Sequence, residues 1–160
     1  MYDSVEVAWK ILQLASQRGI RLSNLQLQKL VYLAHGYLLG WKNKPLICDD
    51  VEAWEYGPVI SHVYHNFKDF GNNFIPVNRT IITSLDNDED AIATIGGVLN
   101  LYGDKHPMEL VNLTHQLGTP WDIAWNQQNG KAYYSHRIDN ELIKNHFRKA
   151  ISDPNSVRGL

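Results

Sequence analysis

Ser23 is followed three residues later by Gln26, and the pair opens a run in which Leu25, Leu27, Leu30, Val31, Tyr32, Ala34, Leu38 and Leu39 crowd into fifteen positions. Serine at an N-cap with glutamine at N3 is a capping box, and Leu22 with Leu27 occupies the two places of a hydrophobic staple. The helix so started carries one apolar stripe through Leu27, Leu30, Val31, Ala34 and Leu38, with Leu25, Tyr32 and Leu39 on another side. A helix apolar around most of its circumference has to be surrounded. The rest of the chain therefore has to supply the elements that wrap it, which predicts a mainly α fold: a single compact multi-helix domain over residues 1–152, with a polar C-terminal tail over 153–160.

The flanking sequence supplies candidates for that wrapping. Asp3 or Ser4 caps a first helix through Val7, Ile11, Leu14 and Ala15, and Gly19 ends it. Between Lys42 and Trp54 the helical period stops. Short extended pieces around Asn43-Lys44-Pro45 and Val51–Trp54 predict a small antiparallel β element over 44–56, extended by residues 74–83 with Pro76 suiting an edge. Gly57-Pro58 is expected to open a third helix, proline taking the first helical position, with Val59, Ile60, Val63, Tyr64 and Phe67 inward and Gly71 closing it. Acidic residues 88–90 start a fourth helix through Ile92, Ile95, Leu99 and Tyr102, which Gly96-Gly97 weakens. Pro107 and Pro120 start two more over 106–117 and 119–127, broken by Gly118. Asp139 caps a last helix burying Leu142, Ile143, Phe147, Ala150 and Ile151.

Composition narrows the functional classes. At 160 residues the chain can bury one core, and 44% hydrophobic with 20% charged residues is a globular balance. A formal net charge of −2 argues against nucleic acid or an anionic membrane as a partner, because such binding needs clustered Lys and Arg. The start of the chain has no secretory character, and the run from Leu25 to Trp41 is too short and polar to span a membrane, so a cytoplasmic protein is expected. Cys48 is the only cysteine, which rules out an intrachain disulfide or a cysteine-based zinc site. Asp49 and Asp50 beside it should raise its thiol pKa and make it a poor nucleophile. No phosphate-cradling loop, nucleophile elbow or dinucleotide fingerprint is present, so no catalytic residue is assigned.

Several residues invite a functional reading and also admit a structural one. Gln28, Tyr32 and His35 fall at i, i+4 and i+7 on one face of the second helix, either as a polar patch or as hydrogen-bonded core residues. Trp54-Glu55-Tyr56-Gly57-Pro58 offers aromatic rings on a turn, as a partner surface or simply as a turn. His62 and His65 are spaced as two metal ligands could be, without a third, and are read as solvated; no metal and no cofactor are expected. Lys144, Arg148 and Lys149 form a basic edge on the last helix, read as a solvated face.

Two of these segments, Leu25-Gln26-Leu27-Gln28-Lys29-Leu30-Val31-Tyr32 and Ala53-Trp54-Glu55-Tyr56-Gly57-Pro58-Val59, together with Leu113-Thr114-His115 and Pro120-Trp121, resemble the SocA-like, or Panacea, antitoxin domain, a bacterial and phage-associated family. Between the last two landmarks stands Gln-Leu-Gly-Thr, and the residues alone make this corner a helix break covered by Trp121. The resemblance implies a non-enzymatic antitoxin that binds a cognate toxin protein, either blocking it or delivering it to a protease or chaperone. The surface expected to do so comprises Gln28, Tyr32, Trp54, Tyr56, Gly57 and Pro58. Two alternatives stay open: a phage-associated accessory protein acting on a host protein, and an enzyme using the Gln28, Tyr32 and His35 face.

Overall fold

The computed structural model describes residues 1–153 and Asn155, so most of the expected polar tail lies outside the described residues. Helix α1 (Ser4–Gln17) is capped by Asp3, whose carboxylate accepts from the amides of Val5 and Glu6, and Gly19 leaves it with φ 73°. Helix α2 (Asn24–Lys42) has the expected capping box with both of its bonds: Gln26 N–H donates to Ser23 Oγ, and Ser23 N–H donates to Gln26 Oε1. Its residues from Gln26 to Gly36 are all buried. Around it lie α3 (Ser61–Phe67), α4 (Glu89–Tyr102), α5 (Pro107–Thr114) and α8 (Asn140–Ser152), each of which packs on α2, as α1 does. The short α6 (Pro120–Asp122) runs into a π-helical turn over Ile123–Gln127, and α7 (Gly130–Tyr133) is a single turn.

The closest packing is between α2 and α8. A Cβ on Gly36 would run into the Phe147 ring, and one on Gly40 would stand 2.8 Å from the backbone nitrogen of Arg148. Two bare positions one turn apart thus let α8 lie against the backbone of α2, and Phe147 fills the space with its ring edge-on to Tyr32 and Tyr37. All of Phe147 is buried; a side chain of this size gains about 1.5–3 kcal/mol from leaving water. The core runs continuously from Val7 and Ile11 of α1, through α2, to Ile95, Leu99, Ile143 and Phe147.

The β element is present, but it is arranged differently from the one that residues 44–56 and 74–83 predict. Strands β1 (Val51–Trp54) and β2 (Gly57–Val59) form an antiparallel hairpin across Glu55-Tyr56, with Ala53 opposite Pro58. β3 (His136–Ile138) pairs with the other side of β1, so the order is β2-β1-β3. Pro58 therefore belongs to a strand and does not open α3, which starts at Ser61 after Ile60. A proline is acceptable there because β2 is an edge strand and needs no second ladder donor. Residues 74–83 contribute only one bridge, Phe74 to Ser23, supported by the Ile75 amide donating to Leu22 O at 2.9 Å. That segment packs as a loop against the start of α2. The sequence gives no sign of β3, since three residues carry no period.

Candidate functional site

Beside the N-terminal half of α2 lies a cleft of about 920 Å³. Its walls come from α2, the hairpin turn, the end of α3, the start of α5 and the segment after α6, five separate parts of the chain. The hairpin turn is its most closely held edge. Lys29, fully buried, donates from Nζ to Pro58 O at 3.0 Å. Gln28 Oε1 accepts the Ile60 amide at 3.1 Å, while its Nε2 reaches Asn24 Oδ1 at 3.4 Å. Trp121 Nε1–H donates to Trp54 O at 2.7 Å, and His115 Nε2 lies 2.9 Å from Glu55 O. The Trp121 and His115 rings lie 3.8 Å apart, so the two halves of the Leu113–Trp121 landmark grip consecutive carbonyls of one turn. This corner does more than cover a helix break.

Gly57 accounts for the closeness of that grip. Its φ of 110° lies where only glycine is unstrained, and a Cβ there would come within 2.8 Å of Lys29 Nζ and 3.1 Å of Thr114 Oγ1. The turn and the lysine thus share a space that any side chain at 57 would fill. Burial holds the Lys29 ammonium down to about 7, since the charge is removed from water without an acid beside it. Sequence reasoning does not single out Lys29 as a site residue. The signal is nonetheless there: a lone cation on the inner face of an otherwise apolar helix has to find a partner.

The six expected partner-surface residues separate. Tyr56 is 62% exposed at the tip of the turn, and Trp54, half-buried, places its ring edge-on to Tyr64 and donates from Nε1 to Glu52 at 2.8 Å. Gln28 lines the cleft but is 2% exposed, and Gly57 and Pro58 are buried within the hairpin. Tyr32 is not part of this surface: it is 1% exposed and packs on Phe147. A helix cannot keep i, i+4 and i+7 on one open face when a second helix covers the later half. His35, likewise buried, accepts the amides of Leu46 and Ile47 at Nδ1 (3.2 and 3.4 Å) and bonds Asn140 through Nε2 at 3.0 Å. Burial lowers its pKa, partly offset by Asn140. Gln28, Tyr32 and His35 hence share no cleft in which they could act on a substrate.

Further residues reach the cleft from parts of the chain that no motif connects. Trp125, Tyr134, Lys68, Lys131 and Met108 line it, and Tyr134 is 83% exposed with φ 60°, a left-handed conformation that costs a bulky residue energy. His65 packs on Tyr64. His62 Nδ1 instead lies 3.6 Å from Asp3 Oδ2 and 3.7 Å from Asp49 Oδ1, the one grouping among the described residues whose ligand atoms converge as a metal would need. Both carboxylates already serve the fold, since Asp3 caps α1 and Asp49 accepts the Ser4 amide, and the histidine is exposed to water. Cys48 is exposed, and partial desolvation and then the Asp49 carboxylate push its thiol pKa up. No helix among the described residues is long and apolar enough to cross a membrane.

These landmarks define a class. Residues 27–122 match the model of the antitoxin SocA-like, Panacea domain family, and the chain belongs to that family. Among curated proteins, Antitoxin SocA of Caulobacter vibrioides (strain NA1000 / CB15N) is 36% identical over 156 residues, covering 91% of this chain and 82% of that protein. No solved structure matches. The matched span includes most of α2, the hairpin, His115 and Trp121, so the gripped turn lies within the family domain, whereas Trp125, Lys131 and Tyr134 lie beyond it.

Proposed function

We propose that this chain is an antitoxin that neutralises a cognate toxin protein by direct contact, using the cleft beside α2 with Tyr56 on its rim. The observation that carries the reading is the hairpin turn. Lys29, His115 and Trp121 each bond a backbone carbonyl of the hairpin and Gln28 bonds the Ile60 amide just after it, yet Tyr56 at the tip of the turn faces solvent. An aromatic ring on a turn already fixed loses little entropy when a partner covers it, and such anchors dominate protein interfaces. The chemistry of growth inhibition belongs in this reading to the toxin; the antitoxin contributes shape and hydrogen bonds.

The test is co-expression with the product of the adjacent gene, scoring growth rescue and co-purification. Tyr56→Ala should stay folded by circular dichroism and bind the toxin roughly thirtyfold more weakly, the effect of losing about 2 kcal/mol at a central anchor. Wild-type affinity in that variant would move the interface elsewhere. Toxin abundance in the same cells separates two routes: it holds steady if the toxin is blocked and falls if it is handed to a protease.

A further inference from the structure

The cleft has a charge of its own. The protein carries a formal −2, but the charged residues lining the cleft are Lys29, Lys68 and Lys131 against Glu55 alone. Lys68 and Lys131 are exposed and form no ion pair among the described residues, whereas Lys42 pairs with Asp90 and Lys44 with Asp88. Low-dielectric walls focus the field of such charges into a concavity. The walls are aromatic as well, with Tyr56, Trp125 and Tyr134 among them. Tyr134 ends α7 in a left-handed conformation, its amide turned back to Lys131 O, and its ring stands in water.

We infer that the cleft receives a segment of the toxin in which acidic side chains stand beside an aromatic or aliphatic one, the carboxylates meeting Lys68 and Lys131 and the apolar group packing on Tyr56, Trp125 and Tyr134. This inference rests on the antitoxin reading and names the chemistry of the partner at that site. Lys29 lies beneath the turn, buried against the Pro58 carbonyl, and with burial lowering its pKa to about 7 it carries its charge only in part near neutral pH. Single-stranded nucleic acid also combines cation and ring contacts, but two free lysines facing a glutamate on a net-negative protein form a poor phosphate track. A protein segment fits the balance better.

The experiment titrates purified toxin against the full chain and against the double variant Lys68→Glu/Lys131→Glu, whose positions are exposed and hold no other element in place. The expected result is binding weakened at least tenfold with unchanged circular dichroism, a shallower loss of affinity with added salt, and recovery when single acidic residues of the toxin are changed to lysine. Recovery at a particular toxin residue identifies the carboxylate. Arg148→Glu/Lys149→Glu on α8 is the control and should bind as wild type. Binding within twofold in the cleft variant, or weakening confined to the α8 variant, overturns the inference while leaving the antitoxin reading in place. Tight binding of a 20-nucleotide single strand, abolished by Lys68→Glu/Lys131→Glu, would assign the cleft to nucleic acid and overturn it as well. A wild-type chain that neither rescues growth nor binds the toxin removes the antitoxin reading and this inference together.

Discussion

One helix, α2, does two kinds of work along its length. Its C-terminal half meets α8 through Gly36 and Gly40, with rings filling the remaining space, and stability there comes mainly from shape, with His35 adding one bond to Asn140. Its N-terminal half meets the hairpin through Gln28 and Lys29, polar groups that hold backbone carbonyls and amides in place. The two halves differ in what they tolerate. Apolar packing gains from every buried atom and needs no partner in a particular direction, whereas a buried ammonium is costly except where an acceptor waits for it. The half that uses polar struts is also the half that leaves a cleft, because side chains bonding a turn hold it at arm's length.

The comparison breaks first at Gly40. Gly40→Leu forces a side chain against the backbone of α8, which cannot yield as a side-chain tip would, and should destabilise by about 3 kcal/mol or more by denaturant titration. A near-wild-type midpoint would mean that the helices can separate without cost. Gly57→Val comes next. It combines φ 110° with a close approach to Lys29 Nζ, and a loss of about 1–3 kcal/mol is expected from the same titration. An unchanged melting temperature would show the turn to be ordinary.

A third prediction separates the halves by pH. Lys29 has an ordinary value of 10.5 and a folded one of about 7, so between those values the unfolded chain binds more protons and stability rises with pH across that window. His35 is also lowered from its ordinary 6.5, so its contribution is complete above that value and is lost as pH falls below it, where protonating Nδ1 also removes the acceptor for Leu46 and Ile47. Chemical denaturation of wild type against Lys29→Met should show a difference that changes between pH 7 and 10, while His35→Gln should alter only the acid limb. Parallel curves for wild type and Lys29→Met across pH 7–10 would mean that the buried ammonium keeps its charge in the folded protein. The smallest effect is at Tyr134. Tyr134→Gly relieves the left-handed backbone and should stabilise the free protein by about 1 kcal/mol in thermal unfolding, while weakening toxin binding. Stabilisation without weaker binding would leave that strain with no function.

Local chemistry makes much of this legible. The capping box at Ser23, the caps at Asp3 and Asp139, and the prolines opening α5 and α6 are decided within one turn of helix, and each is readable because its donor and acceptor lie three residues apart or fewer. The burial of α2 follows from its apolar circumference alone. Pro58 misleads because a proline after glycine suits a helix start and an edge strand equally, and only the pairing of Ala53 with Pro58 chooses between them. Tyr32 misleads because spacing tells which residues share a helix face and says nothing about where a neighbouring helix stops covering it.

The sequence by itself determined most of the helices, the central one among them, and the family, since caps, periodicity and short motifs are properties of neighbouring residues. Tertiary structure alone decided which motif residues reach solvent, that His115 and Trp121 grip the Glu55 and Trp54 carbonyls, and that Lys68, Lys131 and Tyr134 share one cleft with Lys29. Those contacts join positions far apart along the chain. Their pairing depends on how whole elements pack, and a single helical or strand period carries no record of it.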